Sequence, residues 1–70
     1  MKLTNSEFEI LKALYVGKSY KEIAGERFVE QVTIRTQVTN ILRKFNEKKI
    51  KNLINTLREN NFFEKFNDLK

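Results

Sequence analysis

Between Gln31 and Phe45 the apolar residues Ile34, Val38, Ile41, Leu42 and Phe45 recur at spacings of four, three, one and three. That repeat lays one continuous stripe along an α-helix, whereas a strand lines its face with every second residue. Nothing interrupts a helical reading elsewhere: proline is absent, the only glycines are Gly17 and Gly25, and no segment sustains period-two alternation. The chain is therefore predicted to be all-α.

Four helices are expected, over about 5–16, 19–28, 31–45 and 48–60. The first opens at Thr4, where Thr4 and Glu7 have the spacing of a capping box that satisfies orphan amides. Phe8, Ile10, Leu11 and Leu14 supply its buried stripe, and Gly17 falls where a left-handed C-cap is needed. Ser19 and Glu22 repeat the box and open a second helix, with Ile23 and Ala24 facing inward. The fourth buries Ile50, Leu53, Ile54 and Leu57 and stops at Asn60 or Asn61, because asparagine tolerates left-handed backbone. A short amphipathic, phenylalanine-rich extension over 62–69 closes the chain, with Phe62, Phe63, Phe66 and Leu69 on one side. It folds back over the core, forms a dimer contact or frays.

Seventy residues make one domain, 1–70, with a core too small to support a catalytic cleft, so no enzymatic activity is expected. Cysteine and histidine are both absent, which removes disulfides, thiolate nucleophiles and the common metal ligands. No cofactor, metal or small-molecule ligand is expected. No apolar run approaches the ~20 residues of a membrane span and Met1-Lys2-Leu3 begins no signal peptide, so a cytoplasmic location is expected.

The net charge of +5 is unevenly placed. Residues 1–30 balance five basic against five acidic side chains, whereas 31–58 set Arg35, Arg43, Lys44, Lys48, Lys49, Lys51 and Arg58 against Glu47 alone. Such clustering suits a polyanion partner, since each neutralised phosphate releases counterions; it also suits a merely solvated face. The third helix separates these readings. Opposite Val38 its exposed arc is Val32, Thr33, Arg35, Thr36, Thr39, Asn40 and Arg43, with no acid from Gln31 to Asn46. A solvated helix would more often carry glutamate–lysine pairs. Arginine can pair with guanine edges, while a threonine can offer a hydroxyl to a base or phosphate and a methyl to thymine.

The chain resembles the LuxR-type helix-turn-helix family from Leu3 to about Phe62. The opening signature is Leu3, Thr4, Glu7, Ile10, Leu11, Leu14, Gly17, Ser19, Lys21, Glu22, Ile23 and Ala24, followed without a gap by Thr33, Ile34, Arg35, Asn40, Ile41 and Lys44. The resemblance implies a four-helix LuxR-type helix-turn-helix domain that regulates transcription, with 31–45 as the recognition helix in the major groove of double-stranded DNA. Base contacts then fall on Arg35, Thr36 and Thr39. Phosphate contacts fall on Ser19, Tyr20, Lys21 and Thr33, with Arg43 or Lys44. A homodimer, or a heterodimer with another regulator, would pair through Ile50, Leu53, Leu57, Phe62, Phe63 and Phe66.

Some positions depart from the family pattern. Glu30 stands where a serine usually caps the recognition helix, and Gln37 where a histidine is usual. Arg27 replaces a core leucine, with Phe28 expected to fill in, and Asn46, Glu47 and Ile50 replace the usual glycine, valine and arginine. Only two residues precede Leu3, so no receiver or ligand-binding domain is expected, and Met1 favours a single-domain regulator over an excised one. The alternative function is a protein-interaction module that pairs with a full-length regulator through its apolar C-terminus without binding DNA.

Overall fold

The computed structural model describes residues 2–63, which form α1 (Asn5–Tyr15), α2 (Tyr20–Arg27), α3 (Gln31–Lys44) and α4 (Ile50–Glu59). Among the described residues there is no strand. Each helix lies within two residues of its predicted bounds. The largest difference is the start of α4, where Lys49 remains extended as the N-cap and the helix begins at Ile50.

Both predicted capping boxes form. Thr4 accepts the Glu7 amide and Ser19 that of Glu22, while each glutamate reaches back to the amide of its capping residue. All four helices end in one geometry, with two backbone bonds closing over a left-handed residue. After α1, Lys18 donates to the Ala13 carbonyl and Gly17, at φ 102°, to that of Leu14. The same pair of bonds encloses Phe28 (φ 57°), Asn46 (φ 56°) and Asn61 (φ 51°). Glycine and asparagine suit that backbone; a phenylalanine is strained in it.

The core is built around α3, which packs against α1, α2 and α4. Ile10 and Leu11, Ile23 and Ala24, Ile34, Val38 and Ile41, and Leu53 and Leu57 are its buried members, one group from each helix. Phe63 completes it with no exposed surface, its ring 4.8 Å from Tyr15, 5.4 Å from Phe8 and 5.0 Å from Phe62. The chain end thus folds back onto α1, at least through Phe63. A core assembled from short helices leaves room beside α1 for one more large ring, and burial of an aromatic there adds substantially to a small domain.

Leu53, Leu57 and Phe63, also named above for a dimer contact, lie in the subunit's own core, in line with the predicted buried side of the fourth helix. Ile50 and Phe62 are half-buried and retain some surface, while Phe66 lies outside the described residues. Phe28 was expected to fill the place of a core leucine, yet it is 94% exposed. As the left-handed residue closing α2, it leaves the helix before its side chain can turn inward.

Candidate nucleic-acid interface

Helices α2 and α3 pack against each other across the short turn Phe28–Glu30, giving a helix-turn-helix whose second member presents one long side to solvent. Burial of Ile34, Val38 and Ile41 fixes the roll of α3 about its axis. At 100° per residue the row directly opposite them is Val32, Thr36, Thr39 and Arg43, and all four are exposed. Arg35 lies exposed on one flank of that row, Thr33 and Asn40 on the other. Thr33, Thr36, Gln37 and Asn40 also line an open polar cleft with Thr4, Ser6 and Glu7 at the start of α1.

The model of bacterial regulatory proteins of the luxR family matches residues 1–57. The chain belongs to that family. It is similar to a nitrate/nitrite response regulator homologue of Haemophilus influenzae, 36% identical over 44 residues, covering 63% of this chain and 21% of the relative. Similarity to the transcriptional regulatory protein LiaR of Bacillus subtilis is 48% over 42 residues, covering 60% and 20%. With the spore germination protein GerE of Bacillus subtilis it is 37% over 46 residues, covering 66% and 62%. The chain thus spans about a fifth of the length of the first two. No solved structure matches at comparable stringency.

As a luxR-family domain the chain is a DNA-binding helix-turn-helix module of transcription regulators. The seven basic residues of 31–58 fall into two groups. Arg35, Arg43, Lys48, Lys49 and Lys51 are exposed and make no ion pair with any described residue. Lys44 and Arg58 are engaged within the fold. The Lys44 ammonium donates to the Glu7 carboxylate, joining α3 to α1. Arg58 donates to the Tyr15 carbonyl at 2.8 Å and lies over the Tyr15 ring, 4.8 Å from its centre, so it neutralises the C-terminal end of α1. Sequence alone could not separate the groups, since partners 37 and 43 residues away leave no local signal.

Glu7 is 6% exposed, the one buried charged residue among those described. The hydrogen bond from Lys44, then that from the Thr4 amide, hold its carboxyl below the ordinary value against the opposing effect of burial. A phosphate approaching Lys44 would have to compete with this carboxylate.

At the start of α2, Ser19 is the N-cap, Tyr20 is half-buried against the core and Lys21 is exposed. Hydrogen bonds from the Ser19 amide and hydroxyl hold the Glu22 carboxyl below its ordinary value. Ser19 is therefore committed to the box, and the first-turn amides of Tyr20 and Lys21 are the donors left for an anion. An exposed pair between Lys18 and Glu26, at 2.8 Å, ties the preceding loop to α2. At the start of α3, Glu30 is the N-cap but its side chain makes no capping bond.

Proposed function

We propose that this domain regulates transcription by binding double-stranded DNA sequence-selectively as a homodimer, with α3 in the major groove. The observation that carries the reading is the outward side of α3. It opposes the buried Ile34, Val38 and Ile41, carries no acid from Gln31 to Lys44 and sets Arg35 and Arg43, which pair with no described acid, beside short polar side chains. A major groove about 12 Å wide admits one helix with such a face. Arg35, Thr36 and Thr39 are the proposed base contacts. Lys21, Thr33 and Arg43, with the first-turn amides beside Ser19 and Tyr20, are the proposed phosphate contacts.

For the dimer, Ile50 and Phe62 are the members of the expected contact that keep surface among the described residues, and Ile54 stands one turn from Ile50 on α4. A twofold pair places recognition helices roughly 34 Å apart, one turn of duplex. The alternative, a module that acts only on other proteins through a phenylalanine-rich end, loses support because Phe63 is buried and Phe62 packs edge-on against Phe45 and Phe63.

Fluorescence anisotropy against duplex DNA at several salt concentrations, with sedimentation of the complex, tests the reading. Four or five phosphates per subunit give a dimer a logarithmic salt slope of about −7 to −9. Arg35→Ala is expected to relax sequence preference, and Lys21→Ala to weaken all sequences alike. Absence of binding in the micromolar range would refute the proposal.

A further inference from the structure

The threonines on the outward row of α3 are already using their hydroxyl protons. Thr36 Oγ1 donates to the Val32 carbonyl at 3.0 Å, and Thr39 Oγ1 to the Arg35 carbonyl at 3.0 Å. Each bond closes onto the preceding turn of its own helix, a habit of helical threonines. A hydroxyl bound in this way has no proton for a base acceptor or a phosphate and can only accept, and beside it each threonine turns a γ-methyl to the groove. Val32, the third member of the row, is 60% exposed and carries only methyls. An apolar β-branched residue so placed gains nothing from water and adds nothing to the core. From Val32 to Thr39 the helix advances about 10 Å, roughly three base-pair steps of duplex.

We infer that Val32, Thr36 and Thr39 form a row of methyl groups that selects its DNA site by contact with thymine 5-methyls in the major groove, rather than by hydroxyl hydrogen bonds. The inference rests on the reading of α3 as the recognition helix. Thymine is distinguished in the major groove by that methyl, which apolar side chains contact. Arg35, on the flank of the row, supplies a donor for a neighbouring guanine, while the row itself specifies thymines.

The test begins with selection of bound sequences from a random duplex library by the wild-type chain. Each thymine of the enriched sequence is then replaced by deoxyuracil, which removes the methyl and keeps every hydrogen-bonding group. Two or more thymines are expected to matter, each swap weakening binding about fourfold, the effect of one buried methyl. Thr36→Ser, which keeps the hydroxyl and removes the methyl, is expected to lose the thymine-to-uracil ratio at one position. Thr36→Val, which keeps methyls and removes the hydroxyl, is expected to preserve that ratio whatever its overall affinity. Val32→Ala is expected to lose the ratio at a different position. All three sites are exposed, and circular dichroism checks that each variant folds. Equal affinity for thymine and uracil duplexes, or a ratio lost in Thr36→Val and kept in Thr36→Ser, overturns the inference and leaves DNA binding standing. Failure of the folded wild-type chain to enrich or bind any duplex overturns DNA binding itself, and the methyl row with it.

Discussion

The carboxylate of Glu7, buried at the start of α1, is held by the ammonium of Lys44 in the last turn of α3. The pair ties the first helix to α3, adding a polar link to the core packing between them. Lys44→Met keeps the aliphatic stem and leaves Glu7 with Thr4 alone. Because the lysine side chain is one-third exposed, the expected loss is about 1–2 kcal/mol, at the low end for a bond to a charged group. The pH dependence has a definite sign. Glu7 titrates below its ordinary 4.5 in the folded chain, so its contribution is complete above that value and is lost as pH falls through the folded one. Thermal unfolding between pH 7 and 3 should show a shallower acid loss in Lys44→Met than in the wild type; equal slopes would sink the account.

Phe28 combines two unfavourable features, a left-handed backbone and 94% exposure. Asparagine occupies the equivalent place after α3 and α4. Phe28→Asn should therefore stabilise the domain by about 1 kcal/mol, raising its melting temperature by about 4–8 °C. An unchanged melting temperature would show that the left-handed conformation carries no cost here.

Glu30 caps α3 through its backbone only. Serine at this position gains a side-chain capping bond but gives up a carboxylate that suits the helix dipole, and these effects are of similar size. Glu30→Ser should leave stability within about 0.5 kcal/mol. Binding to duplex DNA should tighten about two- to fivefold at low salt as one repulsive charge is removed, the gain shrinking as salt rises. Anisotropy titrations at two ionic strengths distinguish this from a change confined to folding.

Phe63 lies against Phe8, Tyr15 and Phe62 with no exposed surface. Phe63→Ala should cost about 3–5 kcal/mol, comparable with the whole stability a core of this size supplies. Loss of the cooperative melting transition is expected. A variant that unfolds within a few degrees of the wild type would show that the ring adds little.

Local spacing settled much of this molecule. The stripe of Ile34, Val38 and Ile41 and the boxes at Thr4 and Ser19 depend on residues within one or two turns of one another, so they could be read from the chain, as could the luxR resemblance carried by the same positions. Exposure of Arg35, Thr36 and Thr39 followed from the same period. Tertiary structure decided what spacing does not encode. It turned Lys44 and Arg58 from the basic cluster toward Glu7 and Tyr15, and Phe63 from a possible contact into the core. It also left Phe28 outside. These outcomes depend on which surfaces meet once the helices pack. A distant carboxylate or a vacant place beside α1 competes for a side chain only after the chain has folded.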